Sequence, residues 1–150
     1  MTLEKTFKIK NSIIAGYLFG KIQEIEKAGV KVRYKVELDS KLPVPEVTLI
    51  EALGLLFDHA MIQMAGAELP KKKIYFSLKQ KENIIAIKFA NTSKFLGVDD
   101  MVSIWEKGSR SDLYQLRKLA KDNGGSIYVQ MKTVDEVDYL CMKVILPCKF

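Results

Sequence analysis

Cysteine is scarce in this chain of 150 residues, with only Cys141 and Cys148. Both lie in or after the last strand-like segment. Seven residues of extended chain hold them roughly 23 Å apart, which excludes a disulfide between them unless the chain folds back. Two thiols without a framework suit a reducing compartment. Histidine is scarcer still, at one, His59. No run reaches the ~18 apolar, uncharged residues of a membrane span once the polar side chains of the longest run are counted, and the N-terminus has no signal-peptide pattern. Repeats, low-complexity tracts and linkers are also missing, so residues 1–150 read as one domain, large enough to bury roughly two thirds of its unfolded surface. Concentrated charge is lacking too. The formal net charge is +6, spread along the chain, and Lys71-Lys72-Lys73 is the only tight cluster. Lying between a helix and a strand, it reads as a solvated loop that protects a strand edge. Neither basic-aromatic interleaving nor a helix-turn-helix signature accompanies it, so no nucleic-acid partner is expected.

What is present is ordinary globular patterning, with 48% hydrophobic and 28% charged residues, which argues against disorder. From Ser12 to Ala28, apolar residues recur at helical spacing; Asn11 or Ser12 can cap the start, and Gly29 can take the left-handed conformation at the end. Val30 to Leu38 alternates as a strand does. A loop with Pro43 and Pro45 leads into an apolar helix that starts near Thr48 and ends near Gly66. Lys73 to Lys79 and Ile84 to Ala90 read as an antiparallel pair across Lys81-Glu82-Asn83. Asp99 to Trp105 suggests a short helix. Ser111 to Asp122 is a longer one, stopped by Asn123-Gly124-Gly125. Ser126 to Lys132 and Val137 to Leu146 close the chain around Asp135. The order predicts an α+β two-layer sandwich, a mixed and mostly antiparallel sheet with helices on one face.

The most informative stretch is Leu53-Gly54-Leu55-Leu56-Phe57-Asp58-His59-Ala60, inside the apolar run from Val47 to Ala65, which is long enough for about five helical turns. At 100° per residue Glu51, Asp58, His59 and Gln63 fall within roughly a 140° arc, so a helix that is otherwise apolar keeps one polar strip. Such a strip either faces solvent or lines a site. The wording resembles the asparagine-box helix of the GHKL ATPases, and three other segments keep the same order. Asn11 to Lys21 with Ala28-Gly29-Val30 precede the box. A strand ending in Asn, Ile84 to Asn91, follows it, and a helix then runs into Gly124-Gly125-Ser126-Ile127. Together these resemble the catalytic domains of the Agr-type quorum-sensing and citrate/dicarboxylate-sensor histidine kinases, over nearly the whole chain.

The resemblance implies a Bergerat-type sandwich, ATP or ADP as ligand with magnesium, and a cytoplasmic domain of a membrane-bound sensor. It also implies a helical dimerisation and phosphoacceptor domain elsewhere and, indirectly, a response regulator. It aligns His59 with the family's magnesium-binding Asn. Neutral imidazole is a poor replacement for an amide oxygen on so hard a cation, so His59 either donates to phosphate or is inert. Asp58 aligns with the Asp of the box, where it either orients its neighbour or is a solvated carboxylate. Asn91 aligns with the acceptor of the adenine amino group, and its plainer reading is a turn residue. The glycine-rich lid is matched only by Gly108, Ser109, Arg110, Ser111 and Asp112, with one glycine of three. Gly108, Arg110 and Ser111 are the candidate phosphate contacts, Arg110 by its guanidinium. The sole histidine sits in the box and not on a presenting hairpin, so self-phosphorylation of this chain is not expected. No catalytic residue is assigned. The second reading is a catalytically inactive pseudokinase that serves as a partner-binding module.

Overall fold

The computed structural model describes residues 5–65, 68–108 and 113–147, residues 5–7 by their backbone alone. Its elements run β1 (Lys5–Ile9), α1 (Ser12–Lys27), β2 (Lys31–Leu38), α2 (Glu46–Ala65), β3 (Lys73–Lys81), β4 (Ile84–Thr92), α3 (Val98–Ser103), α4 (Tyr114–Asp122), β5 (Ser126–Val134) and β6 (Val137–Pro147). Six strands form one sheet in the order β1-β2-β3-β4-β6-β5. The β1–β2 and β2–β3 pairs are parallel, joined through α1 and α2, and the other three pairs are antiparallel. Helices cover one side of this mixed sheet, the two-layer arrangement that the element order predicts.

Local chemistry explains most boundaries. The Asn11 side chain accepts from the Ile13 and Ile14 N–H groups, 3.0 Å each, and so caps α1. Gly29 takes φ +90° at its end. Asp135 and Glu136, with φ of 50° and 66°, form the two-residue turn between β5 and β6. The sequence reading missed β1. Its five residues carry two lysines, too short and too polar to show a strand period before their register against Tyr34 to Leu38 is known.

The core lies between α2 and the sheet. Phe57 of α2 meets Phe76 of β3 and Phe89 of β4 edge-on, each at 5.4 Å between ring centroids. All three rings are fully buried, in the T-shaped geometry that ring quadrupoles favour. With 20 residues, α2 is long and apolar enough, by length and composition, to cross a membrane. This corrects the expectation that no segment approaches that limit. In the fold it is the central core helix, with Leu49, Leu53, Leu56 and Phe57 packed inward.

Candidate functional site

The end of β4 and the facing side of α2 build a small buried polar cluster. Asn91 is the last core-facing residue of β4 and has no exposed surface. Its amide nitrogen donates to Gln63 Oε1 at 2.7 Å and to the Thr92 carbonyl at 3.0 Å. Gln63 in turn donates to Ser93 Oγ at 3.0 Å, and Ser93 Oγ donates to the Lys94 carbonyl. This chain of bonds fixes which way the Asn91 amide points. Its nitrogen is spent on protein acceptors, and its Oδ1 is left buried with no donor among the described residues. A carbonyl oxygen presented this way can take a hydrogen bond from an amine or amide N–H.

His59 lies one helical turn before Gln63, on the same stripe of α2. Only 4% of its surface is exposed, and neither ring nitrogen has a partner among the described residues. Burial pushes its pKa down from 6.5 to about 4, so the ring is neutral at ordinary pH. The Asn91 oxygen and the two His59 nitrogens are thus buried polar atoms without partners among the described residues, and each such atom costs a folded protein about 1–3 kcal/mol. The Asn91 amide is bonded to Gln63, and His59 stands one turn from Gln63 along α2, so a ligand on that side of the helix could satisfy them.

Other parts of the expected site are distributed differently. Glu51, Asp58, His59 and Gln63 do not form one solvent-facing strip of α2. Its exposed stripe is Val47, Glu51, Asp58, Ile62 and Ala65, whereas His59 is rotated 100° from Asp58 onto the buried side. The Asp58 side chain is 68% exposed and faces α1, where Lys21 Nζ approaches to 4.0 Å while also pairing with Glu24 at 3.4 Å. Burial, with Asp58 and Glu24 adding to it, pushes the Tyr17 phenol on that side up to about 12. Asp58 and His59, adjacent in sequence, therefore serve different surroundings. Gly108 follows α3 in a turn with φ +88°, while Arg110 and Ser111 lie outside the described residues. Gln63 and Ser93 were not singled out as site residues. Gln63 belongs to the polar arc, which was the available signal, but its bond to Asn91 joins residues 28 apart and needs the fold.

The six-stranded sheet with helices on one side is shared with solved structures. The catalytic domain of histidine kinase ThkA, nucleotide-free, superposes with a TM-score of 0.66 at 13% identity, covering 91% of this chain and 90% of that one. A mycobacterial sensor kinase, MprB, gives 0.67 at 12% identity, with 89% and 93% covered. The Acinetobacter baumannii histidine kinase AdeS gives 0.68 at 10% identity, covering all of this chain and 70% of that one. The fold is that of histidine-kinase catalytic domains. No protein-family model matches the sequence, and no curated protein matches it, so the likeness lies in the fold.

Within a histidine-kinase fold the two implied ligands fit this chain unequally. The free Asn91 oxygen suits the amino group of an adenine. Magnesium finds little to hold it. Among the described residues no three His, Cys, Asp or Glu side chains gather, the only buried group at the box position is a neutral imidazole, and the neighbouring carboxylate of Asp58 faces α1. A hard cation that prefers oxygen ligands does not fit this set.

Proposed function

We propose that this chain is one nucleotide-binding domain, the catalytic domain of a sensor histidine kinase of the Agr-type and citrate-sensor branch, with weakened nucleotide or magnesium binding. The observation that carries this reading is the buried, unpartnered Oδ1 of Asn91, held at the end of β4 by the Gln63 bond. In the proposed complex Asn91 accepts from the adenine amino group. The unpaired His59 nitrogens offer a neutral donor and acceptor toward the rest of the nucleotide, and Gly108 with Arg110 and Ser111 flank the phosphates. Phosphoryl transfer depends mainly on positioning and on neutralising phosphate charge. This chain supplies the first through Asn91, and it has little of the second beyond Arg110.

On this reading ATP or ADP is the ligand, and the phosphate acceptor is a histidine on a helical dimerisation domain upstream or in another chain. A response regulator is the indirect recipient, and the domain works in the cytoplasm. Histidine kinase ThkA has been solved in complex with a response regulator protein, TrrA, which supports that pairing by analogy of fold.

The pseudokinase reading is favoured by a separate feature. Phe95, Val98 and Val102 are exposed beside a cleft of about 1050 Å³ that reaches Trp105 and Met131. Apolar groups so placed suit contact with another protein.

Thermal unfolding with ATP or ADP, each with and without magnesium, tests the nucleotide reading. Ligand at about 100 times its Kd should add roughly 2.7 kcal/mol of stability, a rise of several degrees in Tm. Asn91→Leu should abolish most of that rise. No shift under any of the four conditions would leave the partner-binding module.

A further inference from the structure

The face of the sheet opposite the helices collects charge that looks dispersed in the sequence. Strand side chains alternate, so every second residue of β2, β3, β4, β6 and β5 reaches this open face. A central row across the sheet is Arg33, Tyr75, Ala90, Cys141 and Gln130, paired strand to strand. Its middle is small, and the small side chains leave a trough. Two adjoining hollows of about 280 and 640 Å³ share Tyr75, Ala90, Lys132 and Cys141.

Cations stand on both sides of that row. On one side Lys31 is directly opposite Lys73, and Lys132 is opposite Tyr139. On the other side Lys88 is directly opposite Lys143, which is opposite Tyr128. From the Lys88 row to the Lys73 row is four residues along a strand, about 13 Å. Across the four spacings from β2 to β5 the trough runs roughly 19 Å.

Arg33 and these five lysines line the two hollows, and no Asp or Glu does. Like charges directly opposite one another destabilise a sheet, and here they occur twice. Protection of a free edge does not account for them, because β3, β4 and β6 are interior strands of the sheet.

We propose that this open face binds single-stranded nucleic acid, with phosphates between the two cation rows and bases stacked on Tyr75 and Tyr139. A single strand satisfies both kinds of group present, since stacking platforms combined with a basic groove are how such strands are held. An acidic peptide would meet the cations but bring no planar group to stack on Tyr139. A duplex carries its phosphates on a convex cylinder, and an anionic bilayer carries them on a plane. Neither reaches a floor set by Ala90 and Cys141. The surface is on the opposite side of the sheet from Asn91 and His59, so it does not rest on the nucleotide reading.

Fluorescence anisotropy with a labelled twelve-nucleotide oligo-dT tests the proposal. Binding should weaken with salt on a logarithmic slope of about −3 to −4, as four to six phosphate contacts on a single strand imply. Lys88→Gln with Lys143→Gln should flatten the slope by about 1.4. Tyr75→Ala should weaken binding by about fivefold or more, while Lys118→Gln on the helical side leaves it unchanged. Circular dichroism of each variant checks that it is folded. The proposal is overturned if the oligonucleotide fails to bind at 50 mM salt. It is also overturned if the duplex of the same length, poly-glutamate or anionic vesicles bind as tightly, or if folded Tyr75→Ala binds like the parent chain.

Discussion

Acidification should weaken this fold through one ring. The His59 pKa is about 4 in the folded protein against 6.5 for the free side chain, so the unfolded chain takes up a proton that the folded chain refuses. The contribution of the neutral ring is fully present above pH 6.5. It is lost as pH falls from 6.5 to about 4, and it levels off below that. A span of about 2.5 pH units at 1.36 kcal/mol each amounts to about 3 kcal/mol, a large part of the 5–15 kcal/mol typical of a domain. The comparison is with His59→Leu, which keeps every other titratable group. Leu also removes two unpartnered nitrogens, and the variant should be at least as stable at pH 7. Urea unfolding of both proteins from pH 7 to pH 4 should show the parent chain losing about 3 kcal/mol more than the variant. Because His59 is the sole histidine, its imidazole proton resonance reports the same titration unambiguously. A midpoint near 6.5 in the folded protein, with parallel stability curves for the two chains, would refute the burial argument.

Three further outcomes are expected. The isolated chain should take no acid-labile phosphate from ATP, because its one imidazole is buried in the core; such a label, found after incubation with radioactive ATP, would overturn this. His59→Asn should tighten nucleotide binding when magnesium is present and change it little without the metal. Calorimetric titrations that give equal affinities in all four combinations would mean that position 59 does not face the metal. Gly125→Ala should cost about 2 kcal/mol or more, since a Cβ there would run into the Ile145 carbonyl of β6; a denaturation midpoint equal to that of the parent chain contradicts it.

Strong periodicity made α1, α2 and the four strands β3 to β6 legible, because their apolar spacing alone distinguishes a helix from a pleated strand. The cap at Asn11 and the turn at Gly29 were readable for the same local reason. Position in space was harder to read. The arc on α2 correctly gathers Glu51, Asp58, His59 and Gln63, yet it could not say which edge of the arc the sheet covers. His59 fell on the covered side and Asp58 on the open one. Asn91 was found as the end of a strand, but the bond that orients its amide depends on Gln63, which only the packing of α2 on β4 brings near. The basic open face was likewise invisible, since its lysines are scattered between residues 31 and 143 and meet only through strand register.

The strand order also bears on how the chain is made. Strand β4 finds its second neighbour not in β5 but in β6, so its far edge stays unpaired until Pro147 has left the ribosome. That is 55 residues after Thr92, by the element bounds, or about 3–11 s of synthesis. Through that interval Ile85, Ile87 and Phe89 sit on a bare edge that invites a second nascent chain. Loss of the last strand, by a premature stop or by proteolysis, would recreate that exposed state in the finished protein and turn this fold into a seed for aggregation.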